Sequence, residues 1–373
     1  MQRGELFPFG IGMTDLLRNV LSLNAFTPRY MMKTALEVML QSADVFKYIT
    51  PEADRLVWQE FQNKLQAFYL FEYVDSVLGF SSSANLSLEQ MIDKTRRLGP
   101  FFSVWATEGV GHYYAYLATA GSALPHGLLS NHASHLPSES AVPLHTGMGL
   151  ALAEALLTRG YDIRTLVETF IQLCQNNSRR PYWRAAVEAL GLVVRNLYPH
   201  LISPLDHHFS DNDEELLAYF WHGIGRGIYF TPGNFMPYWN PPGQGLEMCL
   251  QEAPHELGRR NAVAGFAWAM TLVNIRQPEI IAALLQFNGA RLTANDAFAN
   301  GVFSALVVWL DCAPHDSSVR LLCEYQPDWD PSLLRLWETV VKQACKNAIH
   351  YRDANGNADI GEIFRYQPGI TAL

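Results

Sequence analysis

The sequence predicts an all-α protein, an array of paired helices of the solenoid or αα-barrel kind, and three observations carry that prediction. Six segments with a common pattern of small, apolar and polar positions recur about 38 residues apart, the length of two helices with their connections. Apolar residues follow helical spacing along the chain, and nothing shows the alternation of a half-buried strand. The glycines sit inside these helical patterns rather than between a strand and a helix.

The segments are "EGVGHYYAYLA" from Glu108, "TGMGLALAEAL" from Thr146, "RAAVEALGLVV" from Arg184, "HGIGRGIYF" from His222, "AVAGFAWAMTL" from Ala262 and "NGVFSALVVWL" from Asn300. They divide the chain into an N-terminal helical region (1–100), six helical repeats (101–310) and a C-terminal helical cap and tail (311–373). Taking Gly109 as position zero, positions 0 and +4 are mostly small: Gly109, Gly147, Ala151, Ala185, Ala189, Gly223, Gly227, Ala267, Gly301 and Ala305. Residues four apart share a helix face, so this face lets neighbouring helices approach closely. A helical glycine costs about 1 kcal/mol relative to alanine, and its recurrence implies packing that compensates. Positions +1 and +5 are apolar in all six segments, as a core stripe requires.

The run "YFWHGIGRGIYF" (219–230) resembles a phosphate-binding loop only superficially, because such a loop follows a strand and opens a helix. The preceding "SDNDEELLAYFW" reads as a helix start, with Ser210, Asp211 and Asp213 as capping side chains. Between the repeats, 87–99, 162–177 and 278–287 read as partner helices, with Ser87 and Asp162 placed to cap the first two. The Pro- and Gly-rich stretches 124–145 and 231–245 read as loops.

Composition narrows the partners. The chain has 373 residues, 49% hydrophobic and only 17% charged, with 9 Trp, 16 Tyr and 20 Phe. Disorder is excluded, and much aromatic surface must be buried or line a cavity. A net charge of −9 argues against nucleic acid or an anionic membrane surface. Five cysteines without a Cys-x-x-Cys spacing fit reduced thiols in a cytoplasmic protein better than disulfides or zinc. The N-terminus lacks the apolar core of a signal peptide. The longest apolar stretches, 262–273 and 302–310, are too short to span a bilayer, so no transmembrane segment is expected.

In order and spacing, "EGVGHYYAYL", "HTGMGLALAEALL", "FWHGIGRGIYF" and "FANGVFSALVVW" resemble a domain family of unknown function encoded beside enediyne-type polyketide synthases. The resemblance spans roughly residues 100–310 and is sharpest at Gly223-Ile-Gly225-Arg226. It departs at the third segment, "YWRAAVEALG". It implies natural-product assembly with a long polyene ligand, and it supplies no catalytic residues.

Positions −1 and +3 of the segments put ionisable groups on a third face. Glu108 with His112, and His222 with Arg226, are the candidate catalytic pairs, since a buried carboxylate beside an imidazole serves as acid or base and a buried guanidinium holds a carboxylate or carbonyl. Tyr113, Tyr114, Arg184, Glu188, Phe266, Trp268 and Asn300 are the candidate ligand-binding residues. Arg184 and Glu188, one turn apart, are expected to pair with each other. The rival reading of all these groups is a structural network tying helices together. "SDNDEELL" superficially matches the acidic motifs of terpene cyclases, but capping explains it. "LDHHF" (205–209) and "DCAPHD" (311–316) lack a metal-ligand spacing, and "YRDANGNADIGEIF" (351–364) lacks the glycine and terminal carboxylate of a calcium loop. No cofactor is named by the pattern. The expected function is binding of a long apolar polyene, polyketide or isoprenoid intermediate and direction of its modification or cyclisation. The alternatives are a non-catalytic scaffold for other biosynthetic proteins and a terpene-cyclase-like enzyme.

Overall fold

Helices begin where the chain offers an acceptor for the free N–H groups of a first turn. Ser87 and Gln90 form a reciprocal capping box, Asp162 accepts from the Thr165 N–H, and Asp213 accepts from the Leu216 N–H. Ser210 and Asp211, expected to share the last of these roles, instead end the preceding helix.

A computed structural model describes residues 28–80, 86–121, 123–132, 135–235, 243–327, 331–355 and 360–370. Its helices of seven residues or more are α1 (Pro28–Ile49), α2 (Glu52–Glu72), α3 (Leu88–Arg96), α4 (Pro100–Thr119), α5 (Ala141–Leu157), α6 (Ile163–Asn177), α7 (Trp183–Leu197) and α8 (Ile202–Asn212). They continue with α9 (Glu214–Tyr229), α10 (Gln244–Glu252), α11 (Glu256–Val273), α12 (Pro278–Leu292), α13 (Ala297–Cys312), α14 (Ser318–Glu324), α15 (Pro331–Trp337) and α16 (Gln343–Asn355). Among the described residues there is no strand, and the protein is all-α. Part of the loop expected at 231–245 and the centre of the calcium-like stretch, Asn357 to Asp359, lie outside the described residues, as do residues 1–27.

The six segments fall in α4, α5, α7, α9, α11 and α13, and each of these helices packs on the next. Three further helices interleave with them: α6 against α5 and α7, α8 against α7 and α9, α10 against α9 and α11, whereas α12 packs on α15 and α2. One large apolar core runs from α2 to the C-terminal segment, and a smaller one joins α1 to α2 around Leu40, Phe61, Leu65 and Tyr69.

Small residues mark each crossing. A Cβ at Gly147 would collide with the Glu108 carbonyl, and one at Gly111 with the Leu144 carbonyl, so α4 and α5 touch backbone to backbone. Gly149 meets Ala186 of α7; Gly191 and Gly223 join α7 to α9; Gly225 and Gly265 join α9 to α11; Gly301 meets Ala264 of α11. The even spacing read from the sequence is not kept at these crossings. Gly111, Gly149 and Gly225 fall in the expected register, but in α7 the corresponding glycine is Gly191, one turn later than residue 187. Towards the preceding helix Gly147, Gly223 and Gly301 stand at position zero, but in α11 that contact is made by Gly265, two residues after Val263. The row also curls, since α13 touches α5 and the turn Ser138–Ser140.

Two further expectations change. Helix α5 starts at Ala141, inside the stretch read as loop, because Pro143 occupies the first turn, where no intrahelical N–H bond is lost. With that extension Ser138–Leu157 becomes long and apolar enough to cross a membrane, yet 83% of its most apolar window is buried inside the fold. It is a core helix whose neighbours are α4 and α7.

The crossings make a testable inversion of helix propensity. Alanine normally stabilises a helix over glycine by about 1 kcal/mol. Here Gly225→Ala should lower stability by about 2 kcal/mol or more, because its Cβ meets the Ala262 backbone rather than a movable side chain. Gly121→Ala, with nothing within 4 Å, should leave the urea midpoint unchanged. Equal midpoints for the two variants would show that the backbones are not in contact.

Candidate functional site

The close crossings bring the polar face of the row together. Arg226 on α9 extends one guanidinium nitrogen to Glu108 on α4 and the other to Glu188 on α7, the latter at 3.3 Å. Glu188 gives its second oxygen to Nδ1 of His222, one turn before Arg226, at 3.0 Å. A carboxylate only accepts, so the hydrogen of this bond is on Nδ1, and Nε2 is left without a hydrogen-bond partner among the described residues. The guanidinium lies 4.9 Å from the ring centre of Trp268 on α11, in the range of a cation–π contact. The side chains of Glu188 and His222 are fully buried, and those of Glu108 and Arg226 are no more than 5% exposed.

The register change in α7 explains the membership. Glu188 precedes Ala189 and Gly191 as Glu108 precedes Gly109 and Gly111, so Glu188, not Arg184, is the counterpart of Glu108. The shift in α11 likewise puts Trp268, not Phe266, level with Arg226. Burial works against the Arg226 charge, but Glu108 and Glu188 outweigh it and hold the guanidinium pKa above its usual value.

Three nitrogens in this group have no hydrogen-bond partner among the described residues: Nε2 of His222, Nε of Arg226 and Nε1 of Trp268. Buried polar atoms are nearly always satisfied, and unsatisfied donors cost about 1–3 kcal/mol each. The rings beside them are aromatic. Trp268 stands edge-on to His222 at 6.2 Å, and Phe364 approaches His222 at 6.3 Å and Trp268 at 5.6 Å.

No known protein family, curated protein or solved structure matches the chain. The site is therefore read from its own chemistry.

Of the residues expected from the sequence, Glu108, Glu188, His222, Arg226 and Trp268 come together. The others do not. His112 turns to Glu154 on α5, at 3.0 Å, and packs on Phe71, so the pairing of Glu108 with His112 is not formed. The reason is geometric: one turn along α4 the polar face passes from the inside of the row to its rim, where His112 is partly exposed. Tyr113 packs on Phe80, and Tyr114 lies beside His132. Arg184 bonds Glu215 and Glu362, each at 2.9 Å, rather than Glu188, which is engaged by His222 and Arg226. Phe266 is buried edge-on against Tyr229, and Asn300 donates to the Gln367 carbonyl.

The clusters rejected as metal motifs have structural roles. Asp206 accepts from Trp221 at 2.7 Å and binds His255 at 3.0 Å, and Asp316 accepts from Trp309 at 2.9 Å. Phe364 was not foreseen; its stretch offered only a failed calcium-loop pattern.

The bridging geometry predicts that Arg226→Lys is not a mild change, since an ammonium cannot span two carboxylates as a planar guanidinium does. Chemical denaturation should show a loss of about 2 kcal/mol or more. A stability equal to wild type would mean that the double bridge contributes nothing.

Proposed function

We propose that the chain is a cytoplasmic αα-repeat protein of natural-product biosynthesis that binds a long apolar intermediate, of polyene, polyketide or isoprenoid character, against the inner face of its helices and directs its modification or cyclisation. The observation that carries this reading is the buried Glu188–His222–Arg226 cluster, whose three unpartnered nitrogens stand beside the rings of Trp268 and Phe364. Glu188 orients the imidazole, and Nε2 is then the atom that takes or gives a proton. Arg226 Nε and Trp268 Nε1 are donors suited to a carbonyl or carboxylate oxygen of the same ligand. The aromatic walls suit conjugated hydrocarbon. The resemblance to the family encoded beside enediyne synthases supports the same class of ligand.

One observation favours a second reading, the non-catalytic scaffold. Arg226, with its partners, ties α4, α7, α9 and α11, and the cluster is almost wholly buried, as a structural ion network is.

The two readings separate on a binding titration. cis-Parinaric acid, a conjugated tetraene fatty acid whose emission rises in apolar surroundings, should bind saturably to the wild-type chain. Trp268→Ala should weaken that binding at least fivefold while the protein stays folded by circular dichroism. A linear, unsaturable response from wild type would exclude the pocket reading and leave the scaffold.

A further inference from the structure

The segment Ile360–Ile370 is the last stretch described, and its placement is set by four helices of the row. Gly361 lies against the Pro181 carbonyl and Arg184 just before and at the start of α7. Glu362 pairs with Arg184. The Tyr366 N–H donates to Asn261 of α11 at 2.7 Å, the Tyr366 hydroxyl donates to Asp296 at the start of α13, and Gln367 exchanges bonds with Asn300 of α13. Arg365 stands over the Tyr219 ring of α9. These polar anchors reach α7, α9, α11 and α13, while Ile360, Ile363 and Ile370 are buried in the main core beside them. They hold a strap rather than extend a helix.

Between its anchors the strap drives one large ring inward. Phe364 is fully buried and packs on His222 and Trp268, two residues whose buried ring nitrogens lack hydrogen-bond partners among the described residues. A phenyl ring offers those nitrogens no conventional hydrogen-bond partner. The aromatic contact is satisfied and the polar one is left open, which is the condition expected where a side chain stands in for a ligand that brings both a conjugated body and a polar group.

We propose that Ile360–Ile370 is a displaceable plug, and that Phe364 occupies the place which the apolar ligand takes beside His222 and Trp268. The inference rests on the ligand-binding reading above. Binding requires the strap to leave, so the apparent affinity of the intact chain is reduced by the fraction of molecules in which it is out. The ligand is a conjugated or aromatic chain carrying an oxygen acceptor. The plug keeps the buried imidazole from solvent until that ligand arrives.

The experiment compares cis-parinaric acid affinity, and hydrogen exchange over residues 360–370, in three full-length proteins: wild type, Phe364→Ala and Tyr366→Phe. The last removes the hydroxyl that bonds Asp296 and Arg260 and keeps Phe364. Both variants should bind the probe more tightly, about tenfold for Phe364→Ala and a few-fold for Tyr366→Phe, and saturating probe should speed exchange of the strap in wild type. Equal affinities in all three, or bound probe with the strap still protected, would overturn the plug while leaving the binding reading intact. Absence of binding in all three would overturn both. Should Phe364→Ala fail to fold, the Tyr366→Phe affinity and the wild-type exchange decide the matter alone.

Discussion

At Gly147 the backbone of α5 rests on the Glu108 carbonyl of α4, and at Gly223 the backbone of α9 rests on the Glu188 carbonyl of α7. The rest of the molecule depends on these contacts. With no side chain between them, two helices meet backbone to backbone, the geometry in which Cα–H groups lie against carbonyl oxygens in weakly attractive contact. The entropic cost of helical glycine is offset because each crossing is buried and fixed. Three of the carbonyls in contact belong to Glu108, Glu188 and His222, members of the ionic cluster. The same residues therefore set the distance between helices and carry the charges.

Closeness explains how a row of helices brings α4 within reach of α9, although α5 and α7 lie between them in the succession of contacts. The side-chain volume on the inside of the curve is small, and the ionisable groups that remain there must satisfy one another. Burying two carboxylates, a guanidinium and an imidazole costs several kcal/mol per ion before pairing. Arg226 meets that cost by reaching both carboxylates, and Trp268 covers its face. The pairing leaves nitrogens of His222, Arg226 and Trp268 without hydrogen-bond partners among the described residues.

Much of this was legible in the chain. The caps at Ser87, Asp162 and Asp213, the small positions and the polar face all follow from local rules, because capping and helical periodicity act within a turn or two. The partners of the charges were not. An apolar helix can slide by one turn and keep the same face, so an even spacing assigned Arg184 to the place that Glu188 holds, and in α11 it put Phe266 two residues short of Trp268. His112 and Glu108 share a helix face, yet curvature separates them, and curvature is a property of the whole row. The role of Phe364 depends on a strap that crosses four helices distant in sequence, for which no local pattern exists.

The central claim is that the curl of the row presses Glu108 and Arg226 into one buried pair across 118 residues of chain. A double-mutant cycle on folding stability with Glu108→Gln and Arg226→Met measures that coupling directly. The account predicts a coupling of about 2 kcal/mol or more, within the range for groups in one buried network. Additive effects of the two substitutions would contradict it, and would place α4 and α9 apart.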